Sequence, residues 1–358
     1  MVVGVDGADW EYWTKLVPSW LCSAPLESQI GLTGSEWTSM LTGIPATTLG
    51  AYDYYGRAVG DRKDVIRYED LAGHYWWEIA EQAGHSAAIC RAPACYPPRV
   101  PQNGWLLCGV GARDTAHCYA ASDVELYPPP VGTGRPGLIP DSYVFGSIMH
   151  YLGDRSLLKE ARLKRLWRLG TAIGAAGLGA LERRDVHELI DHKVRYSSGC
   201  SVGYIYVGLL DILLHTAGLF TWHDAEPPYR LVLEFITRLR AELQPKHLYV
   251  VSDHGGRGGA HRSCGVFAWT PSDVLPAVQG DVVLGPSRRC RGGPALRLMQ
   301  RVEVLEAPWH PWTYEVARLV LAPLGLAPKP FVGAGAGMTY SAAEQERVAA
   351  RLRELGYL

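Results

Sequence analysis

The sequence predicts an α/β fold: a three-layer sandwich with a mostly parallel central sheet and helices on both faces. Two observations carry this. Short β-branched runs alternate with helical stretches along the chain, the pattern of a parallel sheet covered on both sides. Apolar runs also end abruptly in a carboxylate and glycine, as in Val3-Gly4-Val5-Asp6-Gly7 and Val250-Val251-Ser252-Asp253-His254-Gly255. Open α/β sheets build their sites at such carboxyl ends of strands. The 358 residues suffice for one large domain, read as a single catalytic unit over 1–358 with a helical insertion or cap at 142–199.

The elements follow in order. Residues 2–5 read as a first strand and 10–21 as helical. A helix begins after Thr33-Gly34-Ser35-Glu36, with Ser35 as its expected cap. Residues 71–83 form an amphipathic helix closed by Gly84, and 86–90 a strand. Four prolines make 93–101 an irregular loop. Residues 105–110 are a further apolar run, and 128–140 a long Pro- and Gly-rich connection. From 142 to 192 the pattern is helical and charged, including the basic stretch 159–168, read as a solvated helix face. Strands are then expected at 201–210, 248–252 and 266–269, and helices at 227–243, 314–324 and 342–355.

Composition excludes several classes. The formal net charge of −1 gives no field toward nucleic acid or anionic lipid. No apolar stretch reaches the ~18 residues of a membrane span. Met1-Val2-Val3-Gly4-Val5-Asp6 lacks the features of a signal peptide, so the chain is expected to be cytoplasmic. The eight cysteines contain no Cys-x-x-Cys pair, which excludes zinc-finger spacing. Most are read as small buried apolar residues, with one or two bridges among Cys90, Cys95, Cys108 and Cys118 left open.

Four clusters carry chemistry. Asp6 closes the first strand; alone it is an ordinary turn or cap aspartate. Around Thr33, hydroxyls crowd a helix start, whose free N–H groups and positive dipole end favour phosphate, although ordinary capping explains such residues too. Asp211 and His215 stand at i, i+4 on one helix face, where they can chelate one cation or form an ion pair. Asp253 and His254 end a strand, and glycines between His254 and His261 let the chain return to a common centre. Adjacent residues on a strand face opposite sides, so Asp253 and His254 converge only where the strand has ended, and Gly255 and Gly256 are expected to supply the turn.

In this order the clusters resemble the alkaline phosphatase superfamily, and within it the type I phosphodiesterase/nucleotide pyrophosphatase branch. The resemblance rests on Asp6-Gly7 and on Thr33 before Trp37-Thr38-Ser39-Met40-Leu41-Thr42-Gly43. It continues through Asp211/His215 and Asp253/His254-Gly255 to His261 before Gly265-Val266-Phe267. Pro93-Ala94-Cys95-Tyr96-Pro97-Pro98, Asn103-Gly104 and Val304-Leu305-Glu306-Ala307-Pro308 resemble segments of microbial phosphohydrolases of this superfamily. One departure is Leu49-Gly50, where that family often has His-Gly. No Cys/Ser-x-Pro-x-Arg motif surrounds Thr33, which argues against a sulfatase. His310 is read as structural.

The resemblance implies two divalent ions, Zn²⁺ or alternatively Mn²⁺. Asp211, His215 and His261 would hold one, and Asp6, Asp253, His254 and the Thr33 hydroxyl the other. It implies hydrolysis of a small-molecule phosphate ester, diester or monoester, by attack of Thr33 through a phospho-threonine. Imidazole and carboxylate suit Zn²⁺ at about 2.0–2.2 Å, and ions about 4 Å apart can clamp an in-line displacement. Alternatives are a phosphomutase or phosphotransferase of the same superfamily and a catalytically silent binding protein on this fold. From its position alone, the insertion at 142–199 is expected to cap the site and choose the substrate.

Overall fold

The structure, a computed structural model, describes residues 1–29, 31–49, 68–109, 118–129, 191–192, 199–217, 221–258, 260–270 and 311–329, without the side chains of 47 and 215–217. The expected insertion at 142–199, the terminal helix at 342–355, the segment 304–308, Gly50, Cys290 and His310 lie outside the described residues, apart from 191–192 and 199.

An eight-stranded sheet organises the chain. Its strands are β1 (Val2–Val5), β2 (Cys22–Glu27), β3 (Ala87–Ala92), β4 (Gly104–Cys108), β5 (Tyr119–Ala121), β6 (Val202–Val207), β7 (Tyr249–Val251) and β10 (Cys264–Trp269). Strands β8 (Gly255–Arg257) and β9 (Ala260–Arg262) form a separate hairpin. The order is β2-β10-β7-β1-β6-β3-β4-β5. Pairings β7-β1-β6-β3-β4 are parallel, while β10 and β5 run against their neighbours. The sheet is therefore mostly parallel, as the alternating pattern predicts. β1 is central, with Val2, Val3 and Val5 all buried, because a strand covered on both faces must be apolar on both.

The described helices are α1 (Trp10–Trp13), α2 (Thr33–Thr42), α3 (Ala46–Leu49), α4 (Trp76–Gln82), α5 (Leu209–Ala217), α6 (Trp222–Leu243) and α7 (Val316–Leu321). They pack in two groups: α1 and α5 against α6, and α3 and α7 against α2, with α4 on α7. Aromatic side chains dominate both seams. Tyr12 meets Trp222 and Tyr229 between α1 and α6, and Trp37 of α2 sits edge-on to Tyr204 and Tyr206 of β6.

Several boundaries differ from expectation for identifiable reasons. The helix expected at 10–21 is only α1, and the chain then turns toward Pro18. α6 begins at Trp222 rather than 227, because Thr221 and Asp224 form a reciprocal capping box ahead of the two prolines. The helix expected from 71 starts at Trp76, after a 3₁₀ turn at Tyr68–Leu71, and ends against Gly84 at φ 89° as anticipated. The segment 314–324 is a short α-helix between two 3₁₀ turns. β2, β5 and the hairpin were not anticipated; each is short or antiparallel and lacks a long apolar run. Of the seven described cysteines none is in a disulfide, and Cys90, Cys95, Cys108 and Cys118 are buried. Among the described residues, no helix is long and apolar enough to cross a membrane.

Candidate active site

Parallel pairing brings strand ends together. Val5 of β1 pairs with Val207 of β6, and Gly4 with Val251 of β7. The residues that follow those partners leave the same edge of the sheet: Asp6 after β1, Asp211 on the first turn of α5 after β6, and Asp253 and His254 after β7. Asp6 N–H still donates to the Val207 carbonyl at 3.0 Å, which fixes the level at which its side chain emerges. Gly7 follows with φ 72°; an added Cβ would lie 3.1 Å from the Asp211 backbone. The left-handed turn and the close approach of α5 both ask for glycine.

Two groupings of ligand-type atoms result. Asp6, Asp253 and His254 form one and Asp211, His254 and His261 the other, the atoms within each lying within 4.8 Å of one another. His254 Nε2 is 3.1 Å from Asp253 Oδ2 and 3.5 Å from Asp6 Oδ1. His261 Nε2 is 3.2 Å from Asp211 Oδ1. The two imidazoles stack with centroids 3.7 Å apart. Thr33, the first residue of α2, places Oγ1 3.0 Å from His254 Nε2. His215 lies on α5 four residues after Asp211, but its side chain falls outside the described residues.

Both imidazoles have their orientation set from behind. His254 Nδ1 is 3.0 Å from the Gly255 carbonyl, and His261 Nδ1 is 3.0 Å from the Gly31 carbonyl. A carbonyl can only accept, so each Nδ1 carries a proton, and in a neutral ring that leaves Nε2 to offer its lone pair to a cation. This is the tautomer a metal-binding histidine needs.

The carboxylates are held similarly. Tyr206 O–H donates to Asp6 Oδ2 in a short hydrogen bond, leaving Oδ1 toward His254. Gly7 N–H donates to Asp253 Oδ1 at 3.3 Å. Asp253 is fully buried, and among the described residues its Oδ2 has no hydrogen-bond donor. Burial above all, then the carboxylates of Asp6 and Asp211, pushes the Asp253 carboxyl well above its usual range. Two or three carboxylates packed in a dry site repel one another unless a cation joins them. Oxygen and imidazole donors in this proportion fit Zn²⁺ or a similar divalent ion. A neutral imidazole offers one lone pair, so His254 can serve only one of two ions.

Sequence reasoning missed four supporting residues. Tyr206 is one. Ser252 Oγ accepts from Ala8 N–H at 2.9 Å and donates to the His254 carbonyl at 2.7 Å, shaping the turn after β7. Glu36 is fully buried; Oε1 accepts from Gly31 N–H at 3.1 Å, and Oε2 from the Thr313 hydroxyl at 2.5 Å. Thr313 comes from a distant segment that no local pattern connects to α2. The alternation of β6, with Tyr204 and Tyr206 on one face, was the available signal for Tyr206.

Two local expectations need correction. Ser35 does not cap α2: it lies inside the helix, and the N-cap residue Leu32 makes no side-chain cap. Gly255 and Gly256 do not make the turn; they form β8, where an added Cβ would meet the Cys264 carbonyl at 2.4 Å or the Leu214 side chain at 2.2 Å. Close approach, not positive φ, demands glycine there. The turn itself is held by Ser252.

No known family profile matches the chain, and no curated protein does. Among solved structures, the human ectonucleotide pyrophosphatase/phosphodiesterase 5 is similar at 14% identity with a TM-score of 0.38, over 71% of this chain and 56% of that one. The murine protein of the same name gives 16% and 0.37, over 71% and 56%. A phosphonoacetate hydrolase from Sinorhizobium meliloti 1021, in complex with phosphonoformate, gives 16% and 0.39, over 71% and 55%. The chain thus spans little more than half the length of these structures. At such distances the likeness says nothing of what this chain acts on.

Proposed function

We propose that the chain is a metal-dependent hydrolase of phosphate esters in which Thr33 is the nucleophile. The observation that carries this reading is the Thr33 hydroxyl 3.0 Å from His254 Nε2, at the residue shared by both carboxylate–imidazole groupings. A half-buried alcohol within hydrogen-bond distance of that imidazole needs no structural purpose to explain it. It has a clear chemical one.

Asp6, Asp253 and His254 would hold one divalent ion with the Thr33 oxygen. Asp211 and His261 would hold a second, with His215 completing the set. When bound, such ions lower the pKa of a coordinated hydroxyl and neutralise charge on a transferring phosphoryl group.

The chain's own residues supply the rest. Thr33 stands at the first position of α2, where helix N–H groups and the dipole favour a phosphoryl group. In the first half-reaction Thr33 Oγ1 bonds to phosphorus, the bond from phosphorus to the ester oxygen breaks, and the proton lost by Thr33 ends, by way of solvent, on the departing alcohol. In the second, water attacks phosphorus, the Thr33–phosphorus bond breaks, and the hydroxyl regains its proton. Tyr206 holds Asp6 in one orientation throughout, so little rearrangement is needed as charge moves.

The test is a panel of chromogenic phosphomonoesters and phosphodiesters assayed with chelated protein and with added Zn²⁺ or Mn²⁺. Turnover that requires the metal and is lost in Thr33→Ala supports the reading. Turnover unaffected by chelation, or retained by Thr33→Ala, overturns it.

A further inference from the structure

The hairpin that carries the histidines has two faces. His254 immediately precedes β8, and His261 lies in the middle of β9. The register pairs Gly255 with Arg262, Gly256 with His261 and Arg257 with Ala260. Side chains alternate along a strand and match across a pair. His261 therefore faces the carboxylate cluster, whereas Arg257 and Arg262 share the opposite face.

That second face meets α1. Arg257 Nη2 is 2.6 Å from Glu11 Oε2 and 3.7 Å from Asp9 Oδ1. Arg262 Nη1 lies 3.4 Å from both Asp9 Oδ2 and Glu11 Oε1. The Arg257 guanidinium also sits 4.4 Å from the centre of the Tyr12 ring. Asp9 is buried at 2% exposure and anchored independently: Oδ1 accepts from Glu11 N–H at 3.0 Å, and Asp9 N–H donates to Tyr229 at 2.6 Å. The hairpin has no slack between its supports. A Cβ on Gly255 would touch Asp9 at 3.2 Å, and one on Gly256 would overlap Leu214 of α5 at 2.2 Å.

Two arginines facing two acids is more than a two-residue-loop hairpin needs for solubility, and three of the four side chains are largely withdrawn from solvent. An isolated two-stranded hairpin is marginal by itself. Here it must hold two imidazoles in a fixed stack. We propose that Asp9 and Glu11 with Arg257 and Arg262 form an ionic clamp that sets the spacing of His254 and His261, and through it the affinity of the site for divalent cations. These four are positioning residues; none belongs to either ligand grouping. The proposal rests on the metal reading of the site and adds its support from the hairpin's far face.

The test uses the full chain, stripped of metal, with zinc affinity measured by competition against a chromophoric chelator. Arg257→Gln and Glu11→Gln each weaken zinc binding about 10-fold, the lower end of the effect seen for residues that orient metal ligands. The double variant Glu11→Gln/Arg257→Gln loses clearly less than the product of the two single losses, because both remove the same ion pair. Circular dichroism of the metal-free variants confirms folding, and Glu11, the most exposed of the four, serves as the gentlest probe. Folded single variants that bind zinc as wild type does, or a double variant whose loss is the full product of the singles, overturn the clamp alone. A wild-type chain that binds no zinc overturns the metal reading itself, and the clamp with it.

Discussion

His254 Nε2 lies 3.0 Å from the Thr33 hydroxyl, although 221 residues separate them in the chain. The contact exists because β1 and β7 are parallel neighbours and because α2 starts beside their carboxyl ends. Each consequence below follows from that meeting point or from the residues that hold it.

Removing the alcohol should remove catalysis and leave the ligands in place. Thr33→Ala is expected to lower kcat by at least about 10³-fold, with metal content near that of wild type. Thr33→Ser keeps the hydroxyl and should retain measurable turnover. Steady-state kinetics with elemental analysis of both variants checks this; strong residual hydrolysis in Thr33→Ala excludes it as nucleophile.

Asp253 couples the site to pH. Its carboxyl is held well above the usual range in the metal-free protein, chiefly by burial and then by Asp6 and Asp211. A folded-state value above the unfolded one contributes stability at low pH that disappears as pH rises through the folded value. Metal-free protein should therefore melt at lower temperature as pH rises from acid toward neutral, and added Zn²⁺ should reverse the trend. Asp253→Asn removes the burden of the buried charge. It should flatten the metal-free profile while lowering both metal occupancy and activity. Unchanged metal stoichiometry in Asp253→Asn counts against its role as ligand.

Glu81 gives a separate pH signature away from the site. Burial raises its carboxyl from 4.5 to about 7, against backbone hydrogen bonds from Gln102 and Asn103 that pull it down. Its stabilising contribution is complete below the unfolded value and is lost as pH passes through the folded one. Glu81→Gln should thus gain thermal stability relative to wild type above neutrality and lose that advantage in acid. Melting curves of both proteins across that range decide it; parallel curves would show that Glu81 does not titrate there.

Glu36 links the loop before Thr33 to His261. Its carboxylate holds Gly31 N–H, and the Gly31 carbonyl holds His261 Nδ1. Glu36→Ala leaves two buried donors, Gly31 N–H and the Thr313 hydroxyl, without acceptors, a loss of about 1–3 kcal/mol for each. Catalysis should fall further than stability alone explains, since His261 loses its orientation. Glu36→Gln preserves shape and should keep much of both. Chemical denaturation and kcat, measured on the two variants together, separate the effects; equal activity in Glu36→Ala and wild type would break the link.

Much of the fold was legible in the sequence because parallel strands leave dense apolar runs, and β1, β3, β4, β6 and β7 each do so. β2 escaped notice because Pro25 and the polar ends of Cys22–Glu27 break such a run, and an outer strand can carry proline that a central one cannot. Asp6, Asp211, Asp253 and His254 were legible because each follows a strand or opens a helix, whereas His261, in the middle of β9, was reached through the glycines that separate it from His254. What tunes them was not. Tyr206, Glu36 and Thr313 act through hydrogen bonds across large sequence separations, and spacing carries no trace of those. The sharing of His254 between the two groupings likewise depends on how the hairpin stacks His261 on it, a tertiary fact.

The most direct measurement is the number of divalent ions bound per chain, read by native mass spectrometry on the zinc-loaded protein and on His254→Ala. Two ions on the wild type and at most one on His254→Ala are expected, because that imidazole can serve one ion only. A wild-type chain that carries no divalent ion, or a His254→Ala variant that still carries two, would contradict a metal site built beside Thr33.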